Sequence, residues 1–222
     1  CKGTLIKLPN DKSKLGIVTA AHCLRDKILK PEIFKTVKIQ YLYYRSISNV
    51  IWGSNSIQGT LKHLYEKNPD KNLDSTKSAV ASWCKENHQS DIAVIMVSAI
   101  YGDPLFSKAN DINDFQTIVT ENSTETDNST PFEISFKSKT LSIQKNLSFI
   151  TGTEGANGAD LVIGDSGLPF FATADEKSKI AGVGSCYVEQ PVLLSSMKTN
   201  YFAAWNNKLE NEIKKISSSV DS

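Results

Sequence analysis

The sequence predicts an all-β protein closed by one C-terminal helix. Three observations carry this. First, short apolar segments recur between clusters of turn-forming residues. Second, Thr36–Tyr43 alternates, with Val37, Ile39 and Tyr41 on one face and Lys38 and Gln40 on the other. Third, only near the end does the period change: Tyr201, Trp205, Leu209, Ile213 and Ile216 recur at three- and four-residue spacing. That spacing predicts an amphipathic helix over Thr199–Ile216.

The elements follow in order. Gly3–Leu8 and Leu15–Thr19 read as strands on either side of a hairpin turn at Pro9, Asn10, Asp11 and Lys12. Ile47–Trp52 is a further strand. Lys71 to Asn87 breaks the pattern: it is polar at first, then Thr76–Lys85 predicts a short helix, read as an insertion. Ile92–Val97 is apolar enough for a buried strand. Residues 120–130 hold few apolar side chains and end at Pro131, which marks a linker. Strands resume at Phe132–Phe136, Leu147–Thr151, Leu168–Ala172 and Lys179–Val183.

At 222 residues and a formal charge of +1, the chain is long enough to bury about 70% of its unfolded surface. Acids and bases are interspersed, which excludes a nucleic-acid stripe or a polybasic membrane patch. The longest apolar run, Ile92 to Tyr101 with Ser98 inside it, is too short to span a bilayer. No secretory leader is visible at Cys1, Lys2 and Gly3. Asn122, Asn128 and Asn146 each match the glycan-acceptor pattern, at the rate an Asn- and Ser-rich chain produces by chance.

Three short stretches carry chemistry. Thr19 to Cys23 reads T-A-A-H-C, Asp91 to Val94 reads D-I-A-V, and Gly164 to Gly167 reads G-D-S-G. A serine hydroxyl is a poor nucleophile until a base takes its proton and an anion orients that base. His22 is the candidate base, Asp91 the anion and Ser166 the nucleophile. Each has a bland alternative: a histidine buried in a turn, an aspartate capping a strand entry, a plain glycine turn. His63 and His88 are expected at the surface. There is no metal-ligand spacing such as H-E-x-x-H or Cys-x-x-Cys, so no metal and no cofactor is expected.

Taken together, His22 in T-A-A-H-C, Asp91 in D-I-A-V and Ser166 in G-D-S-G-L-P, in that order, resemble the chymotrypsin/trypsin-like serine proteases. The order differs from that of subtilisins and of α/β-hydrolases, and Leu168 stands where a hydrolase elbow wants glycine. The resemblance implies two six-stranded antiparallel Greek-key β-barrels and a C-terminal helix. Residues 1–120 would form the first barrel, 121–131 the linker, and 132–222 the second barrel with the helix. It implies a secreted or periplasmic endopeptidase acting on protein or peptide substrates and open to protein inhibitors.

Further roles come only from that resemblance. The amides of Gly164 and Ser166 would form the oxyanion hole. Cys1 and Cys23 would form a disulfide clamping the histidine loop, in an oxidising compartment. Asp160, six residues before Ser166, would pair with a Lys or Arg side chain in the specificity pocket. Ser185 and Tyr187 would form the opposite wall, with Tyr187 obstructing a long side chain. Asp165 would accept a buried salt bridge that orders the oxyanion loop, from an N-terminal amine supplied ahead of Cys1 or from another group. Cys84 and Cys186 lack family partners: they are buried free thiols or pair with each other, and free thiols are the expectation, since spacing alone establishes no bridge. Two rivals are carried: a catalytically silent homologue that binds a protein partner, and a cysteine-dependent hydrolase using Cys84 or Cys186.

Overall fold

The structure is a computed structural model that describes residues 1–8, 11–24, 36–45, 51–60, 77–98, 109–118, 132–144, 146–152, 158–172, 178–193 and 195–218. It is mostly strand. In the N-terminal half, β1 (Gly3–Leu8) and β2 (Asp11–Thr19) form a hairpin, and β2 also pairs with β5 (Ala93–Ser98), all antiparallel. β3 (Thr36–Arg45) and β4 (Ile51–Thr60) form an antiparallel ribbon in register at Ile39 and Ile57. The ribbon contains the strand expected at Thr36–Tyr43; of the strand expected at Ile47–Trp52, Ile51 and Trp52 lie in β4 and the rest lies outside the described residues.

The C-terminal half is one six-stranded antiparallel sheet curled into a nearly closed barrel. Its order is β7 (Lys139–Ile143), β6 (Phe132–Phe136), β9 (Pro169–Ala172), β10 (Lys179–Val192), β11 (Ser195–Ala204) and β8 (Ser148–Thr151). A helix, α1 (Lys77–Asn87), precedes β5, and α2 (Asn207–Ser218) ends the described chain. Among the described residues no helix is long and apolar enough to cross a membrane.

Side-chain alternation on β11 builds two cores at once. Phe202 and Ala204 point into the barrel with Ile134, Phe136, Phe149, Leu161 and Phe170. Phe202 is the hub, with ring centroids 5.0 Å from Phe170 and 5.4 Å from both Phe136 and Phe149. Ala203, and Trp205 just past the strand, lie in the other core with Ile6, Val18 and Val94 of the first sheet, Ile92 just before it, and Leu209 and Ile213 of α2. The second core therefore welds the two halves together, with the candidate site along their junction.

Two expectations are corrected here. The helix expected from Thr199 starts only at Asn207, because Thr199–Ala204 is still strand, paired with β10 on one side and β8 on the other. The Asn206 side chain accepts the Leu209 N–H at 2.9 Å, which caps the true start. Cys84 and Cys186 are not free thiols but a disulfide, with Cα atoms 6.1 Å apart. It pins α1 to β10 over a small core with Val188 and Tyr201. The linker expected at 121–131 lies outside the described residues, as does His63.

Candidate functional site

The histidine turn is built by the end of β2 and its cystine. Val18, Ala20 and Ala21 are buried, and Ala21–Leu24 form one turn of 3₁₀ helix. Cys1 and Cys23 are bonded, with Cα atoms 5.9 Å apart, as the family resemblance implied. Asp91 stands at the entry to β5, 2% exposed. Such a carboxylate needs partners. It has three: the His22 backbone N–H donates to Oδ1 at 2.8 Å, His22 Nδ1 lies 2.7 Å from Oδ2, and Ser185 Oγ–H donates to Oδ2 at 2.5 Å. An ionised carboxylate only accepts, so Nδ1 carries the proton. Nε2, on a side chain about one-third exposed, lies 3.9 Å from Cys23 Sγ. The Trp83 ring of α1 stands edge-on to the imidazole at 6.1 Å.

Ser185 reaches Asp91 because of a β-bulge. Gly184 pairs with Phe202 and Cys186 with Tyr201, so Ser185 is an extra residue between them. The bulge turns its hydroxyl to Asp91 and leaves its carbonyl to accept Ser166 Oγ–H at 3.3 Å. His22, Asp91, Ser185 and Ser166 thus join one hydrogen-bonded cluster. Among the described residues no hydrogen bond links Ser166 Oγ to His22; the serine is held on Ser185.

The loop from Val162 to Leu168 presents Ser166. Asp165 N–H donates to Val162 O, Leu168 N–H to Asp165 O and Gly167 N–H to Gly184 O, at 2.8 to 3.0 Å. Among the described residues the amides of Gly164 and Ser166 donate to no protein acceptor. Gly164 has φ +95°, which turns the chain there. Gly167 has φ +90°, and a Cβ on it would lie 1.9 Å from the Lys2 carbonyl oxygen. That close approach lets the Lys2 N–H bond Ser166 O at 2.7 Å and the Thr19 hydroxyl bond Lys2 O at 2.6 Å.

Asp165 itself is 4% exposed. Lys2 Nζ lies 3.0 Å from Oδ1; Lys137 Nζ and the Val162 N–H serve Oδ2, the latter at 3.1 Å. Burial pushes its pKa up, but the bonds from Lys137, Lys2 and Val162 outweigh it and hold the carboxyl below the ordinary carboxylate value.

Asp160 is half-buried. Its carbonyl accepts from Lys137 Nζ at 2.5 Å, while its Oδ1 is buried with no hydrogen-bond partner among the described residues. Lys198 Nζ lies 4.3 Å from the Tyr187 ring centroid and 3.5 Å from Leu161 O, so it bridges the segment after Asp160 and β10.

The sequence reading missed four residues. Lys2, Lys137 and Lys198 carry no local signal of their partners. His88, expected at the surface, is 4% exposed and bonds Cys84 O at 2.8 Å and Asn146 O at 2.6 Å. Cys1, His22 and Cys23 lie within 4.8 Å of one another, but the two sulfurs are bonded together and offer no thiolate to a metal. The Cys84–Cys186 bond likewise leaves neither sulfur as a nucleophile, which removes the cysteine-hydrolase rival. No family model matches this chain, and no curated protein matches it.

Proposed function

We propose that the chain is a serine endopeptidase of the chymotrypsin/trypsin-like kind. The observation that carries the reading is one convergence. A His22–Asp91 pair, its imidazole about one-third exposed, joins the same cluster as a Ser166 loop whose Gly164 and Ser166 amides have no acceptor among the described residues. Ser166 Oγ attacks the carbonyl carbon of the scissile bond and passes its proton to His22 Nε2. Asp91 keeps the proton on Nδ1 and stabilises the imidazolium. The amides of Gly164 and Ser166 hold the oxyanion, each worth about 3–4 kcal/mol of barrier. The C–N bond breaks as His22 returns the proton to the leaving amine. Water, deprotonated by His22, then hydrolyses the ester on Ser166.

The buried Asp160 oxygen, without a hydrogen-bond partner among the described residues, favours a cationic Lys or Arg before the scissile bond. The two cystines fit an oxidising, secreted setting. In this reading the β1–β2–β5 sheet and the β3–β4 ribbon are pieces of a first barrel beside the C-terminal one.

A second reading has its own observation: Ser166 Oγ–H bonds Ser185 O rather than His22. That favours a silent homologue that binds a protein partner. Intact-mass labelling with a fluorophosphonate separates the two. The peptidase gives one adduct that vanishes in Ser166→Ala; a folded chain that stays unlabelled refutes it.

A further inference from the structure

Both oxygens of Asp165 are saturated by this chain's own side chains and backbone. Lys137 does more than neutralise it. The same ammonium donates to Asp160 O at 2.5 Å, so one side chain ties the residue before Ser166 to the segment that leads into its loop. Lys137 sits in the two-residue turn joining β6 and β7, where Phe136 pairs with Lys139. Lys137 has φ 47° and Ser138 φ 62°, so both are left-handed. Such turns favour Asn, Asp or Gly, and a lysine there is a costly local choice. The turn itself does not need a lysine. The buried carboxylate it reaches does, and an unusual backbone serving a distant contact is a mark of function.

Asp165 in turn sets the loop. Its N–H and C=O close the bonds to Val162 and Leu168 that bracket Gly164 and Ser166. Without a cation the buried carboxylate is driven towards water, and those two bonds turn with it. We propose that Lys137 is a positioning residue, which holds the 162–168 loop in its anion-binding form through Asp165. Lys2 is the weaker second cation, because its side chain is 53% exposed against 25% for Lys137. The role for the anion rests on the peptidase reading; the holding of the loop does not.

The test uses the full chain as wild type, Lys137→Met, Lys137→Arg and Lys139→Met, the last at an exposed position of the same hairpin. Two readouts are taken: the fluorophosphonate labelling rate, and hydrogen exchange at the Asp165, Gly167 and Leu168 amides. Lys137→Met is expected to label about 10²–10³-fold more slowly, the loss that follows removal of an oxyanion donor. Its Asp165 and Leu168 amides lose at least about tenfold protection, the mark of local opening. Lys137→Arg recovers most of both, and Lys139→Met matches wild type. Should Lys137→Met not fold, Lys137→Gln takes its place, with the same direction expected. Labelling within about threefold of wild type and unchanged exchange overturn the proposal. If wild type does not label yet Lys137→Met loses protection, the holding role stands and the peptidase reading falls. If wild type does not label and Lys137→Met keeps its protection, both fall.

Discussion

Removing the Cys84–Cys186 bridge, as Cys84→Ala with Cys186→Ala, tests how α1 is anchored. The bridge closes 102 residues of chain. In the chain-entropy model a loop near that length removes about 4.7 kcal/mol of denatured-state freedom. The Cys1–Cys23 bridge closes 22 residues, which by the same relation gives about 3.4 kcal/mol. The variant lacking Cys84–Cys186 should therefore lose more stability than Cys1→Ala with Cys23→Ala. For a chain of this size each kcal/mol moves Tm by about 2–4 °C, so the longer bridge is worth roughly 9–19 °C. The assay is urea and thermal unfolding followed by circular dichroism, without reductant. Activity should order the variants the other way. The short bridge lies beside His22, whereas the long one acts through Trp83 at the edge of the imidazole. Thiol titration of the unfolded, unreduced wild type should find no free thiol. Two free thiols there, or a loss below about 1 kcal/mol for the 84/186 variant, would refute the reasoning.

Three further outcomes are expected. Asp91→Asn keeps the packing but no longer fixes the proton on Nδ1, so fluorophosphonate labelling should fall about 10³–10⁴-fold while the far-ultraviolet spectrum is retained. The lowered pKa of Asp165 means that the folded state binds its proton less readily than the unfolded chain. Its stabilisation is therefore complete above the unfolded carboxylate value of about 3.9 and is lost as pH falls through the folded value. The urea midpoint of wild type should decline with acid below about pH 4 more steeply than that of Asp165→Asn, and parallel curves would contradict this. Gly167→Ala puts a Cβ 1.9 Å from Lys2 O at a left-handed φ, so it should cost about 2–4 kcal/mol in urea unfolding, whereas Gly164→Ala, with open space around it, should cost mainly the backbone term of about 1–2 kcal/mol.

The expected strands before β5 and the barrel strands β6, β8 and β9 lie within a few residues of their sequence positions, because two-residue alternation and turn residues are local properties. β7 and β11 escaped notice. The failure at Thr199–Ile216 has a definite cause: residues four apart share one face of a strand as well as of a helix. Tyr201 satisfied both periods, and only pairing with β8 and β10 chose the strand.

At the site, His22, Asp91 and Ser166 could be named from the sequence because each sits in a short stretch whose small or apolar neighbours fix the local backbone. Their meeting in one cluster, through a bulge at Ser185, depends on the register of β10 against β11. Cys84 with Cys186, His88 with Asn146, and Lys137 with Asp165 and Asp160 join residues far apart in the chain. The sequence by itself determined the β-rich class, the terminal helix core around Leu209 and Ile213, and which residue types could do chemistry. The tertiary structure alone decided the partners of the buried charges and sulfurs. Periodicity reports which way a side chain points, whereas a buried charge takes whatever donor the packing brings within about 3 Å.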